Sequence, residues 1–158
     1  MTNGAKTPGT ILLVEDDPGD AALMRRGFEK AGVLNPIQHM SNGDKALAYL
    51  AGVSEYADRN AYPLPVLILL DLKLPGMTGL ELLRWLRTQR DLRRIPAVVL
   101  TMNEQPETIN AAYDAGANSY LVKPGDHKEI VGMINMIQQY WLQLNEPPQL
   151  VMRAQSPE

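Results

Sequence analysis

Side chains that could do chemistry stand at the ends of four short apolar runs in this sequence. Glu15 and Asp16 follow the run ILLV, and Asp71 follows VLILL. Thr101 and Lys123 follow two later runs, AVVL and SYLV. Three carboxylates in one pocket repel one another unless a cation neutralises them, and a donor set made only of oxygens favours Mg²⁺. With a lysine and a hydroxyl opposite, such a pocket could hold a transferring phosphoryl group, with one carboxylate as nucleophile.

The elements that must bring these residues together are alternating strands and helices. The apolar runs have the length and continuous hydrophobicity of strands buried on both faces. Strands are predicted at residues 11–14, 37–40, 66–70, 97–100 and 119–122, and helices at 18–31, 44–50, 80–89, 109–116 and 127–144. This alternation predicts an α/β fold, a doubly wound five-stranded parallel sheet with helices on both faces. The carboxyl ends of parallel strands then place the polar side chains in one crevice.

Composition excludes several classes of protein. The 158 residues are about one domain, and the chain has no cysteine for a disulfide, a thiol nucleophile or a thiolate metal site. A net charge of −3 supplies no general attraction for nucleic acid, and no apolar run approaches the about 18 residues of a membrane span. His39 and His127 lack metal-ligand spacing and are interpreted as surface or edge residues. We therefore expect a cytoplasmic protein that binds neither nucleic acid nor membrane.

Four motifs together closely resemble the receiver domain of two-component response regulators. They are VEDDP at 14–18, LLDLKLPGMTG at 69–79, VVLT at 98–101 and YLVKP at 120–124. The resemblance implies the flavodoxin-like receiver fold over residues 9–144, after a flexible N-terminus at 1–8 and before a C-terminal extension at 145–158. It implies a phosphoacceptor signalling domain and not an enzyme with a separate substrate. Such a domain supports only its own phosphotransfer and slow autodephosphorylation.

The resemblance also implies how the acids and the metal divide the work. Asp71 would accept a phosphoryl group from a phosphohistidine of a partner histidine kinase. Asp16 would bind Mg²⁺ directly, and Glu15 would act near the ion through water. Asp71 itself and the backbone carbonyl of Lys73 would complete the protein's metal ligands.

Three further residues would respond to phosphorylation if the resemblance holds. Thr101 would move toward the phosphoryl group, Lys123 would form an ion pair with it, and Tyr120 would be the aromatic switch that rotates inward. The Lys123-Pro124 peptide bond would be cis. Asp17 matches no ligand of the family pattern and is interpreted as a favourable charge at the N-terminus of a helix.

Departures from the family pattern and rival functions are confined to a few positions. Lys73 brings a second cation to the mouth of the site, and Met102 stands where the family usually has a small residue, which predicts a long-lived aspartyl phosphate. A Mg²⁺-dependent phosphohydrolase with the same aspartyl nucleophile would need an acid and base at position 73, a role Lys73 cannot fill. A flavin binder lacks its Gly-rich phosphate loop here. A binding module that is never phosphorylated is the other alternative.

The predicted last helix carries two apolar stripes. One consists of Ile130, Ile134, Ile137 and Trp141, and the adjacent one of Met133, Met136, Tyr140 and Leu144. One stripe would cover the sheet, and the second is predicted to bind a partner or a second copy in a homodimer, unless both are buried in one core. About 15 residues follow this helix, too few for a DNA-binding output domain, so we expect signalling by phosphorylation-dependent protein contacts.

The layout also resembles a narrower group, the stand-alone regulators paired with bacterial phytochrome histidine kinases. The segment EYADR in the long loop at 52–65, DLRRIPAVVLT at 91–101 and YWLQL at 140–144 carry this likeness. It implies a light-sensing, phytochrome-type kinase as the partner.

Overall fold

A five-stranded parallel sheet organises the computed structural model, which describes residues 8–150. The strands are β1 Ile11–Val14, β2 Ile37–Met40, β3 Leu67–Leu70, β4 Ala97–Thr101 and β5 Ser119–Val122. The helices are α1 Pro18–Lys30, α2 Gly43–Ala51, α3 Gly79–Thr88, α4 Pro106–Ala115 and α5 His127–Ile137. The strand order β2-β1-β3-β4-β5 confirms the predicted doubly wound sheet.

Alternate residues of the central strands pack against helices on opposite faces of the sheet. In β1, Leu12 and Val14 join the cluster formed by α2, α3 and α4, whereas Ile11 and Leu13 join the cluster formed by α1 and α5. Both faces of β1, β3 and β4 are buried, because successive side chains of a strand point to opposite faces. Continuous apolar runs are what such strands require.

Helices α1 and α3, which follow the two strands that carry the acids, begin at side-chain caps. Asp17 accepts hydrogen bonds from the backbone N–H groups of Gly19 and Asp20, and Pro18 occupies the first turn of α1. Asp17 therefore lies at the N-terminus of a helix, as the sequence analysis predicts. Thr78 begins α3 with a capping box, which satisfies backbone N–H groups that the helix itself leaves unpaired.

The last helix differs from its prediction. Regular α-helix ends at Ile137, and Gln138–Leu144 continues as a π-helical segment. Ile134 and Ile137 are buried against the sheet as expected of the first stripe. The second stripe is divided: Met133 packs partly against the same core cluster, while Met136, Tyr140 and Leu144 remain 71%, 54% and 75% exposed. Met133 adjoins Ile134 and therefore lies at the border of the buried face.

The long loop before β3 is anchored to α2. It contains a 3-10 turn, Ser54–Ala57, and Arg59 donates hydrogen bonds of 2.7 Å to the carbonyls of Tyr49 and Leu50. The Tyr49 hydroxyl donates in turn to the carbonyl of Pro63 at 2.7 Å. The two bonds from Arg59 supply donors to carbonyl groups in the last turn of α2, where a helix lacks further N–H groups of its own.

The ends of the chain are described only in part. Residues 145–150 contain no helix or strand. Residues 1–7 of the predicted flexible N-terminus, and 151–158 of the predicted extension, lie outside the described residues. Across residues 8–150, no helix is both long and apolar enough to cross a membrane.

Candidate phosphoacceptor and metal site

The sheet itself positions two buried acids. Directly after β1, the Glu15 N–H donates to the carbonyl of Met40 at 3.0 Å, and directly after β3, the Asp71 N–H donates to that of Val14 at 3.0 Å. Each bond continues the hydrogen-bond ladder of the sheet by one residue. The backbone of both acids is therefore fixed as firmly as the strands are, and their side chains are buried.

Three carboxylates converge at this edge. One oxygen each from Glu15, Asp16 and Asp71 lies within 4.8 Å of the others, with Asp16 exposed and the other two buried. They face an open cleft of about 960 Å³ that Lys73 and Thr101 also line. A set of carboxylate oxygens at the mouth of an open cleft fits a hard divalent cation that keeps some of its water, as Mg²⁺ does.

Lys123 is the cation of the site. Its backbone N–H donates to the Thr101 carbonyl at 2.8 Å, and its Nζ contacts Glu15 and lies 3.0 Å from Asp71 Oδ2 and 3.2 Å from Asp20 Oδ2. Burial alone would lower the pKa of Lys123, but hydrogen bonds to Glu15 and Asp71, and their charges, raise it above its ordinary value. The lysine is therefore charged throughout the neutral range.

Glu15 is the member of this ion pair whose charge is unfavourable in the folded protein. It is 2% exposed, and burial raises the pKa of its carboxyl well above the ordinary value, although the hydrogen bond and charge of Lys123 oppose the rise. The negative charge of Asp71 adds to it. The contact with Lys123 therefore offsets the burial of this acid only in part. A second cation would relieve this cost.

The peptide bond between Lys123 and Pro124 is trans, so the expectation of a cis bond is wrong. Trans is the lower-energy isomer of an X–Pro bond by about 0.5–1 kcal/mol. From this trans backbone Lys123 already reaches all three carboxylates.

The loop after Asp71 is shaped by glycines and a backbone hydrogen bond. The Lys73 N–H donates to Asp71 Oδ1 at 3.1 Å. A Cβ at Gly79 would lie 2.6 Å from the Asp71 carbonyl oxygen, and Gly76 has φ of 71°, a conformation that favours glycine. The sequence motif LPGMTG therefore closes the loop tightly beside the acid.

Thr101 lines the cleft, and Tyr120 contacts the loop after β4, which forms part of the cleft wall. Thr101 is the buried last residue of β4. The hydroxyl of Tyr120, in β5, donates to the carbonyl of Asn103 at 2.5 Å and so ties that strand to the loop after β4. Burial, and then the charge of Asp71, raise the pKa of this phenol. Met102, between Thr101 and Asn103, is 69% exposed at the cleft.

Two side-chain contacts of the site, made by Asp20 and His39, are not predicted by the sequence. Asp20, in the first turn of α1, is the third carboxylate on Lys123, and its only sequence signal is an acid four residues after Asp16 at a helix start. His39 lies in the edge strand β2, as expected, and its Nε2 is 2.7 Å from the Glu15 carbonyl, to which it can donate. No spacing rule signals a contact between neighbouring strands of this kind.

The fold and the site together define a class, small α/β domains with an acid cluster and a lysine at the carboxyl edge of a parallel sheet. Comparison with known proteins identifies the family: residues 11–135 match the response regulator receiver domain, and the chain belongs to that family.

Its relatives match over nearly the whole chain. The probable methanogenesis regulatory protein FilR2 of Methanothrix harundinacea is 38% identical over 91% of this chain and 90% of its own. Response regulator Rcp1 of Synechocystis is 34% identical over 90% of this chain and 95% of its own, and its Mn²⁺-bound structure superposes with a TM-score of 0.81, covering 90% and 100% of the chains. The phosphorylated cyanobacterial phytochrome response regulator RcpA gives a TM-score of 0.84 at 32% identity, over 90% of this chain and 99% of that one.

Proposed function

We propose that this receiver domain accepts a phosphoryl group on Asp71 from a phosphohistidine of a histidine kinase, in a reaction that depends on Mg²⁺. The observation that carries the proposal is the position of Asp71. Its carboxylate lies beside two further acids and 3.0 Å from the Lys123 ammonium, in a cleft wide enough for a partner's side chain. The proposed nucleophile therefore lies beside its counter-ion and is open to a partner protein.

The transfer follows from the residues present. A carboxylate oxygen of Asp71 attacks the phosphorus, the P–N bond to the kinase histidine breaks, and its electron pair stays with the imidazole. Lys123 then pairs with the phosphoryl oxygens and Thr101 donates its hydroxyl to them. Slow hydrolysis of the acyl phosphate returns Asp71, and we propose no other reaction for this chain.

Glu15, Asp16, Asp71 and the backbone carbonyl of Lys73 are the groups we propose to hold Mg²⁺. When bound, the ion would neutralise the carboxylates and polarise the transferring phosphoryl group. Because burial makes the negative charge of Glu15 unfavourable, a bound cation would stabilise the ionised form of this carboxylate. The similarity to Rcp1, of which a Mn²⁺-bound form exists, supports a divalent ion in this chain.

Thr101 and Tyr120 are proposed to carry the signal away from the site. Movement of Thr101 toward the phosphoryl group would pull on the loop after β4. That loop holds the Tyr120 hydroxyl through the Asn103 carbonyl, so its shift would release the ring to turn inward. A phenol that is partly buried and bonded at a single backbone oxygen suits such a two-position switch.

The output surface is proposed to be the second stripe of the last helix. Met136, Tyr140 and Leu144 are exposed along α5 and the π-helical segment after it, with Met133 at their border, and would pack against a second copy of this chain. Analytical ultracentrifugation should then show a dimer of the wild-type chain. Leu144→Asp should weaken this dimer. Tyr113→Asp is the control, because Tyr113 is 48% exposed on α4, which packs on the opposite face of the sheet from α5. Equal effects of both changes would exclude this surface.

A phytochrome-type kinase in the cytoplasm is the proposed donor. The similarity to RcpA, named as a phytochrome response regulator, supports it, while the similarity to FilR2 makes a different sensor the alternative. Transfer from a phosphorylated phytochrome kinase that is much faster than from an unrelated kinase would favour the proposal. Equal rates would contradict it.

Intact mass after incubation with acetyl phosphate tests the acceptor. Wild type should gain one phosphoryl adduct in Mg²⁺ and none in EDTA, and Asp71→Asn should gain none. Asp114→Asn, an exposed acid in α4, should behave as wild type. An adduct on Asp71→Asn would place the acceptor elsewhere, and no adduct on wild type from either acetyl phosphate or a kinase would leave a binding module.

A further inference from the structure

The ammonium group of Lys123 has all its donors engaged. A protonated lysine carries three N–H donors, and three carboxylates surround this one: Glu15 from the end of β1, Asp71 from the end of β3, and Asp20 from the first turn of α1. A phosphoryl oxygen that is to pair with Lys123 must therefore displace one of these acids.

The three acids differ in what else they can do. Glu15 and Asp71 belong to the group whose oxygens lie within 4.8 Å of one another, and Asp71 is itself the proposed acceptor. Asp20 is outside that group, and its side chain is 38% exposed, 3.2 Å from Lys123 Nζ. The contact that distinguishes Asp20 is therefore its ion pair with Lys123.

We propose that Asp20 is a positioning residue that competes with the incoming phosphoryl group for Lys123. The inference rests on the proposed function of Asp71. In the unphosphorylated protein, Asp20 holds the ammonium toward α1. On phosphorylation the phosphoryl oxygens, which carry more charge than a carboxylate, take over the donor that Asp20 used. Asp20 thereby lowers both the rate of phosphorylation and the affinity of the site for a phosphoryl group.

Asp17 provides a matched control for the test. It lines the same cleft and carries the same charge, but it does not contact Lys123. Its side chain caps α1, and asparagine is an equally good cap. Asp20→Asn and Asp17→Asn therefore remove one negative charge each from the cleft, and only Asp20→Asn removes a partner of the lysine.

The first readout is the initial rate of phosphorylation by acetyl phosphate in saturating Mg²⁺. We expect Asp20→Asn to raise this rate about two- to fivefold, the size of an exposed ion pair. Asp17→Asn should change it by less than about 1.5-fold, because a charge without direct contact is screened. Asp20→Glu, which keeps the carboxylate, should return the rate toward wild type.

The second readout is equilibrium binding of beryllofluoride, a mimic of the phosphoryl group, followed by NMR at Thr101. Asp20→Asn should bind it more tightly, by the same two- to fivefold factor. A purely structural role would lower the melting temperature without tightening this binding.

Three results would overturn the proposal. Equal effects of Asp17→Asn and Asp20→Asn would reduce it to general electrostatics, an unchanged rate would remove it, and a lower rate with weaker binding would make Asp20 a support of the lysine and not its competitor. These failures differ from failure of the proposed function, in which wild type itself takes no phosphoryl group on Asp71.

Discussion

The buried carboxyl of Glu15 offers a quantitative test of the site. In the unfolded chain it ionises with the ordinary pKa of 4.5, whereas burial, opposed by Lys123, raises the pKa of Glu15 in the folded protein to about 7. Below the first value both states are protonated. Between the two values only the unfolded chain ionises, so the free energy of unfolding falls as the pH rises, and above about 7 the loss is complete.

The change to make is Glu15→Gln, whose amide oxygen can still accept from Lys123 but never ionises. The difference between 4.5 and about 7 corresponds to about 3 kcal/mol. Without metal at about pH 8, the variant should therefore be more stable than wild type by up to about 3 kcal/mol, and the gap should close toward about pH 5. Urea unfolding at both pH values, in EDTA, measures it.

Mg²⁺ should narrow the difference in stability between the two proteins. A ligand at free concentration c that binds only the folded state stabilises it by RT ln(1 + c/Kd), so a tighter site gains more, and wild type keeps the full set of three carboxylates. Adding Mg²⁺ at about pH 8 should stabilise wild type more than Glu15→Gln. Glu29→Gln, an exposed acid on α1, should show neither effect. A variant less stable than wild type in EDTA at about pH 8 would refute the reasoning, since Lys123 would then outweigh burial.

Three further changes have definite expected outcomes. Met102→Ala should speed loss of the phosphoryl group from Asp71, followed by intact mass, because it uncovers the cleft; an unchanged half-life would show that Met102 does not restrict water. Arg59→Met should lower stability in urea by about 1–3 kcal/mol, since carbonyls at the end of α2 lose their donors. Gly27→Ala places a Cβ 2.2 Å from Ile134 Cδ1 and should cost about 1–3 kcal/mol before a gain in helix propensity of up to about 1. Ile134→Val removes that atom, so the double variant should lose less than the sum of the single variants.

The sheet and the main site residues could be predicted because both depend on the backbone. A continuous apolar run such as Leu67–Leu70 fits a strand buried on two faces, and the residue after it must lie at the carboxyl edge. Asp71 and Glu15 follow from that rule without knowledge of any side-chain contact. The structure adds that ladder hydrogen bonds hold both residues.

The division of the last helix could not be predicted in the same way. The stripe of Met133, Met136, Tyr140 and Leu144 assumes 3.6 residues a turn throughout, and the chain departs from that geometry after Ile137. A π-helical turn needs one more residue than an α-helical turn, so directions drawn for residues 138–144 from an α-helix no longer apply. Trp141 and Leu142 of this segment pack partly against the core, and a periodic pattern does not contain such contacts.

Ion-pair partners are harder to predict than strand ends for a related reason. Lys123 meets Asp20 across 103 positions of sequence, and the contact requires a flexible side chain from the end of β5 to lean toward α1. The charges of the two residues are evident from the sequence, but the sequence does not show which of three acids the ammonium group contacts. The Nζ atom lies 3.0 Å from Asp71 and 3.2 Å from Asp20, so the two acids share the lysine. Residue types at this edge therefore predict the reaction class, whereas the sharing of the lysine, on which we propose that the ease of phosphorylation depends, is a property of the folded geometry.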